Sequence, residues 1–273
     1  MAEKYSVNDL LYLMGRLRDP DGGCPWDLKQ DFASIVPSTI EEAYEVAEAI
    51  EAGDFEHLPE ELGDLLFQVI FYAQLGREGE LFDFDGIVDT LVRKLIRRHP
   101  HVFPEGELRG WRAAHAVDET EVKRNWEAIK ASERGARGEA GVLDGVARNL
   151  PAMTRAAKLQ KRAAGIGFDW PSADGVLDKI EEEIAELRAA MASGNEAHAR
   201  EEVGDLLFSC INAARHLRVD PERALRDCNR KFERRFGAVE AALAAEGRGP
   251  AEASLAELDA LWVRAKEAER GAD

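Results

Sequence analysis

The sequence predicts an all-α protein built from two tandem helical-bundle units, and three observations lead there. Ala, Glu, Leu and Arg dominate a chain with an aromatic share of only 7%, and such residues lose little freedom in a helix. Apolar residues recur at helical spacing, with no sustained strand alternation. The chain also repeats itself.

The repeat is carried by acidic residues. Glu41-Glu42-x-x-Glu45 followed by Glu61-x-x-Asp64 returns as Glu182-Glu183-x-x-Glu186 followed by Glu202-x-x-Asp205, at a constant offset of 141. The neighbourhoods agree, with Glu61-Leu62-Gly63-Asp64-Leu65-Leu66-Phe67 set against Glu202-Val203-Gly204-Asp205-Leu206-Leu207-Phe208. Downstream, Lys94-x-x-Arg97-Arg98 answers Lys231-x-x-Arg234-Arg235 at an offset of 137, and Trp126-x-x-x-Lys130 answers Trp262-x-x-x-Lys266 at 136. The first copy therefore holds five more residues between these elements.

The elements follow in order. Pro20–Trp26 reads as a loop. Ser38-Thr39 precedes a helix with Ala43, Val46, Ala47 and Ile50 on one stripe. Pro59 and Glu60 lead into a second helix bearing Leu62, Leu65, Leu66, Val69, Ile70 and Ala73. Gly135, Gly138, Gly141 and Gly145 stand among small and charged residues and read as a flexible connection. The expected units are thus 1–130 and 151–273, joined by a linker over 131–150. A new helical run starts near Leu150–Pro151, Gly165–Pro171 reads as a loop, and Ser172 precedes a helix with Val176, Ile180, Ile184 and Leu187.

Composition narrows the function. A length of 273 residues fits one or two domains, and 45% apolar residues suffice for a core. The net charge of −17 repels nucleic-acid backbones and anionic membrane surfaces, so neither is an expected partner. It equally repels triphosphates, so a nucleotide site here needs metal ions and local basic groups. The three cysteines, Cys24, Cys210 and Cys228, form no CxxC pair, which disfavours a disulfide framework or a zinc site. No signal-peptide pattern opens the chain and no stretch approaches the roughly 18–20 apolar residues of a membrane span. A cytoplasmic location is expected.

The repeated carboxylates carry the chemistry. On an ideal helix Glu182, Glu183 and Glu186 fall within an arc of about 100°, and Glu202 and Asp205 share a face of the next helix. Two antiparallel helices bring these groups together. Leu206, Leu207 and Phe208 flank them, which predicts a largely buried helix. Packed carboxylates there call for protonation or a cation, and an all-oxygen ligand set suits Mg²⁺ or Mn²⁺. Blander roles exist for single residues. Glu42 can close a capping box with Thr39. Lys231 and Arg235, on one helical face, can bind phosphate or pair with Glu233 or Asp227. Trp262, four residues before Lys266, can stack a base or anchor an amphipathic helix. A di-iron carboxylate bundle is disfavoured, because none of the six histidines has a Glu three residues before it. No Gly-rich phosphate loop is present.

With these residues in view, the sequence resembles the MazG family of nucleoside triphosphate pyrophosphohydrolases in its tandem-domain form. Further matching motifs are Cys24-Pro25-Trp26-Asp27, Arg97-Arg98-His99-Pro100-His101-Val102-Phe103, Val142-Leu143-Asp144-Gly145, Lys158-Leu159-Gln160-Lys161-Arg162-Ala163 and Gly167-Phe168-Asp169-Trp170. The resemblance implies a helical bundle that works as a homodimer and hydrolyses nucleoside triphosphates to monophosphate and pyrophosphate. It implies Mg²⁺ on Glu183, Glu186, Glu202 and Asp205, with Glu182 beside them to orient or deprotonate water. It also implies nucleotide contacts from Lys231, Arg235, Trp262 and Lys266. A narrower enzyme acting on dUTP, dCTP or a phosphoribosyl nucleotide shares this metal chemistry. A non-catalytic dimerisation or regulatory module is the other alternative.

Both copies keep all five acidic positions, so Glu41, Glu42, Glu45, Glu61 and Asp64 form a possible second site. The flanks differ: Lys179 and Arg200 of the second copy stand where the first has Ser38 and Pro59. These extra cations favour a triphosphate, and in tandem members of the resembled family the C-terminal unit is typically the active one. The second copy is therefore the expected catalytic unit.

Overall fold

The computed structural model describes residues 4–110, 118–136 and 141–270, and among them every regular element is helical. The chain divides into two compact units, Met1–Ala131 and Ser132–Asp273.

Unit 1 opens with α1 (Val7–Leu17), whose start is a capping box between Ser6 and Asp9. After a short 3₁₀ turn at Asp27–Lys29 come α2 (Val36–Ala52), α3 (Leu58–Glu78), α4 (Phe84–Arg98) and α5 (Glu119–Ala136), which extends past the boundary at Ala131. α2 starts earlier than Ser38-Thr39 suggests. Pro37 occupies its first turn, where a fixed φ and a missing N–H suit a helix start. Thr39 thus lies inside the helix, donating from Oγ1 to the Ile35 carbonyl at 3.0 Å, and the capping box with Glu42 does not form. α2 and α3 pack as a hairpin. Its turn is set by Gly53, which ends α2 at φ 71, a left-handed conformation that glycine adopts without steric cost.

The core of unit 1 is Met14, Ile35, Ile70, Phe71 and Leu75. Phe71 is 1% exposed and meets Phe67 edge-on, with centroids 6.0 Å apart. Arg18, itself buried, lies over the Phe71 ring at 5.3 Å and donates to Glu78 from Nε at 2.9 Å and from Nη2 at 2.6 Å. It also donates to the Asp27 carbonyl, tying the loop at Pro20–Trp26 to α3.

α5 continues through Gly135 to Ala136, so the glycine cluster begins inside a helix. Gly138 lies outside the described residues; Gly141 and Gly145 sit in turns.

Unit 2 contains α6 (Ala152–Ala164), α7 (Ala173–Ser193), α8 (Glu196–His216), α9 (Pro221–Ala245), a 3₁₀ turn at Pro250–Glu252 and α10 (Leu255–Arg270). Ser172 holds the N-cap position of α7. The caps of α8 and α9 are Asn195, accepting from the His198 N–H at 3.2 Å, and Asp220, accepting from the Arg223 N–H at 2.9 Å. α7 and α8 form the counterpart hairpin, and Gly194 ends α7 at φ 68, as Gly53 ends α2. α6 packs on α8 and α9, and α10 on α9. Val176, Ala190, Ile211, Val239 and Leu243 are buried.

The expectation that α8 is largely buried fails: Val203, Leu207 and Phe208 are exposed. Leu62 and Leu66, at the same register in α3, are exposed too. Helical periodicity identifies an apolar face, but one hairpin buries only part of it. Among the described residues, no helix is long and apolar enough to cross a membrane.

Candidate metal centre and its surroundings

Each hairpin brings three carboxylates together. In unit 2, one oxygen each from Glu183 and Glu186 on α7 and Glu202 on α8 lie within 4.8 Å of one another. Glu42, Glu45 and Glu61 do the same in unit 1. The cause is local. Residues three and four apart share a helix face, and the glycine-ended turn folds the second helix back beside the first. Asp205 and Asp64 stand one turn further along, both exposed. Asp205 contributes charge that raises the Glu202 pKa, and Asp64 does so for Glu42.

Burial sharpens the unit 2 cluster. Glu183 is 4% exposed and Glu202 6%. Loss of solvent pushes the Glu202 carboxyl above its usual range, and Glu186, Glu183 and Asp205 push the same way. The Oε2 atom of Glu183 is buried without a hydrogen-bond partner, a costly state for a carboxylate oxygen. A hard divalent cation matches this donor set, since it prefers carboxylate oxygen and removes the repulsion.

Lys179 supplies positive charge in the structure as it stands. Its Nζ lies 2.8 Å from Glu182, 2.9 Å from Glu183 and 4.0 Å from Glu186, and the hydrogen bonds to Glu182 and Glu183 raise its pKa. Arg200 is exposed and stands two residues before Glu202, about 200° round the helix from it. The structure therefore brings Lys179 to the carboxylates but gives Arg200 no comparable place.

His198, absent from the sequence-derived set, accompanies the cluster, with Nδ1 3.1 Å from Glu202 Oε1. A signal existed: His198 matches His57 at the same offset of 141. The two differ in partner. Asp54 engages His57 at 2.9 Å, whereas the matching Asn195 carries no charge and His198 turns to Glu202. In unit 1, Gln68 donates to Glu42 at 3.4 Å; the matching residue of unit 2, Ser209, is too short for that contact.

The basic and aromatic residues gather on α9 and α10. Arg235 pairs with Glu269 at 2.6 Å, and its guanidinium lies 5.9 Å from the Trp262 ring centroid. Trp262 also meets Phe232 at 5.2 Å. Neither Glu233 nor Asp227 is the partner of Arg235. Lys231 and Lys266 are exposed. In unit 1 the matching Trp126 carries Lys130 over its face at 4.9 Å and His99 against its edge at 5.4 Å.

Comparison with known proteins bears on this arrangement. The MazG nucleotide pyrophosphohydrolase domain matches twice, over residues 30–103 and 172–239, and each match contains one carboxylate hairpin. The chain belongs to the MazG family. Among MazG relatives, the nucleoside triphosphate pyrophosphohydrolase of Escherichia coli K12 is 46% identical over 96% of this chain and 98% of its own length. The nucleoside triphosphate pyrophosphohydrolase/pyrophosphatase MazG of Thermotoga maritima is 41% identical over 94% of each chain. A nucleoside triphosphate pyrophosphohydrolase of Mycobacterium tuberculosis is 34% identical over 59% of this chain and 45% of its own. The two MazG matches correspond to the tandem units that the repeat predicts.

Proposed function

We propose that this chain hydrolyses nucleoside triphosphates between the α and β phosphates, releasing nucleoside monophosphate and pyrophosphate, with Mg²⁺ and at unit 2. The observation that carries this is the Glu183–Glu186–Glu202 cluster with its unpartnered buried oxygen, in a chain so similar along its length to pyrophosphohydrolases.

Glu183, Glu186, Glu202 and Asp205 would hold the ion, with Mn²⁺ an acceptable substitute. Such an ion neutralises phosphate oxygens and acidifies water. The chain's own groups do the rest. Glu182 is more than half exposed at the mouth of the cluster, where it can orient a water for attack at the α-phosphorus and take its proton. Lys179, beside Glu182 and Glu183, would contribute positive charge toward the phosphates. Lys231, Arg235 and Lys266 add charge for the leaving pyrophosphate, with Arg235 first parting from Glu269. Glu41, Glu42, Glu45, Glu61 and Asp64 form a second ion site without a counterpart of Lys179, and unit 1 is assigned a supporting role.

The chain acts as a homodimer in this proposal. The exposed stripe of Leu62 and Leu66 in α3 recurs as Val203 and Leu207 in α8, and repeated apolar faces on one chain suit self-association.

A broad nucleotide range and a role in nucleotide-pool housekeeping belong to this proposal. A panel of NTPs and dNTPs with Mg²⁺ or Mn²⁺, scoring monophosphate and pyrophosphate, tests this. Activity across the panel is expected. Confinement to dUTP or dCTP would replace breadth with a narrower enzyme, and NDP with orthophosphate as products would overturn the assigned cleavage position.

A further inference from the structure

A cavity of about 270 Å³ opens in unit 2 between α6, α8 and the loop at 165–171. Its walls are mainly apolar, with Phe168, Trp170 and Phe208 among them, and its polar groups are Gln160, Ser209, Asn212 and the paired Asp169 and Arg215. Gln160 is 7% exposed. Its Nε2 donates to the Phe208 carbonyl at 2.8 Å, and that fixes the amide orientation, since a carbonyl only accepts. The other end of the amide, Oε1, is then buried with no partner. A buried acceptor without a partner, on a residue that lines an apolar cavity, calls for an N–H donor.

The cavity lies on the helix face that bears the carboxylates. Ser209 and Asn212 line it, each seven residues beyond Glu202 and Asp205. Seven residues bring a helix back to the same face about 10 Å further along, comparable to the reach of a ribose and its first phosphate. The volume lies just below the usual range of ligand pockets, about 300–1,000 Å³, and suits one ring system rather than a whole nucleotide. Phe168 is 78% exposed at the mouth, leaving an aromatic face open for stacking. Trp262, by contrast, is already flanked by Phe232 and Arg235.

Unit 1 closes the same position. At the offset of 141, Phe71 stands for Asn212, Gln68 for Ser209 and Leu75 for His216. Phe71 and Leu75 belong to the packed core, while His216 pairs with Asp169 at 3.0 Å at the edge of the cavity.

We propose that this cavity is the nucleobase subsite, gripping the ring between aromatic and aliphatic walls and accepting one base N–H at Gln160 Oε1. The proposal rests on the hydrolase reading of unit 2 and names where that substrate's base goes. Every common base carries an N–H on its pairing edge, so one acceptor recognises a base without choosing among bases.

The test compares binding of a non-hydrolysable α,β-imido NTP with binding of inorganic tripolyphosphate, each with Mg²⁺, by titration calorimetry of the full-length protein. Wild type is expected to prefer the nucleotide by about tenfold or more, the scale of one buried polar contact plus stacking. Gln160→Met removes the acceptor at similar volume and should reduce that preference several-fold. Asn212→Phe installs the residue of unit 1 and should abolish it. If Asn212→Phe fails to fold by circular dichroism, Gln160→Met decides alone. Wild-type preference retained in the folded variants, or no preference in wild type, overturns the subsite. Pyrophosphate release is followed in parallel. Intact release with unchanged nucleotide preference sinks the subsite and leaves the hydrolase standing. Preference lost in the variants while wild type releases no pyrophosphate sinks the hydrolase and leaves the subsite.

Discussion

Units 1 and 2 share a hairpin, a glycine-ended turn and a carboxylate cluster, yet they spend the space beyond the cluster differently. In unit 1 the face of α3 past Glu61 carries Phe71 and Leu75 into a closed core, with Gln68 bonded to Glu42 and Arg18 locking the adjoining loop. In unit 2 the same face of α8 carries Ser209 and Asn212 along a cavity, with His216 bonded to its wall residue Asp169. The cluster differs too: Lys179 lies against Glu182 and Glu183 where unit 1 has Ser38. One repeat has put its second helix to work as packing, the other as a lining. A duplicated carboxylate cluster therefore stands in two different surroundings.

The largest expected effect is on stability. Phe71→Ala should destabilise unit 1 by about 3–5 kcal/mol, the usual range for emptying a core phenylalanine position. Denaturant unfolding measures it, and pyrophosphate release per folded molecule should stay near wild type. A negligible loss would mean that unit 1 is no better filled than unit 2.

Catalysis comes next. Glu186→Ala should slow pyrophosphate release about a hundredfold or more, since it removes a proposed ion ligand, whereas Glu45→Ala should change it little. Equal losses would point to two working sites, and a loss in Glu45→Ala alone would reverse the assignment.

Lys179→Ala sharpens the contrast at smaller scale. Without the ammonium group, divalent-ion affinity should rise several-fold, because a competing cation is gone, while KM for NTP rises by a similar factor. Calorimetry and steady-state kinetics read the two quantities separately, and a fall in ion affinity would contradict the placement of Nζ.

The smallest effect concerns the cavity edge. Hydrogen bonds from Arg215 and His216 hold the Asp169 carboxyl below its usual value of 3.8. Their contribution is complete above that value and fades as pH falls through the lowered one. Asp169→Asn should cost about 1 kcal/mol at pH 6, with the difference from wild type shrinking below pH 3.8. A pH-independent difference would show that charge is not what the pair contributes.

Much of this was legible in the sequence, for unequal reasons. The fold class and the carboxylate hairpins follow from periodicity and a repeat in register, both local properties. His198 was equally legible through its match with His57, but a search for Glu-x-x-His looks on the wrong side of it. Thr39 misled because Pro37 starts the helix sooner. The exposure of Leu207 and Phe208 was not readable, since periodicity identifies a face without saying what covers it. Nor was the cavity, whose walls at Leu143, Gln160, Phe168 and Asn212 meet only through packing of α6 on α8.

The hairpin also has a consequence in time. Glu186 and Glu202 stand sixteen residues apart on neighbouring helices, joined by the tight turn at Gly194. A loop that short closes at little entropic cost, and contacts so local form early, on the order of microseconds for helical segments. Gln160 and Asn212 are fifty-two residues apart and meet only once α6 docks. The carboxylate cluster is therefore expected to assemble before the cavity as unit 2 folds.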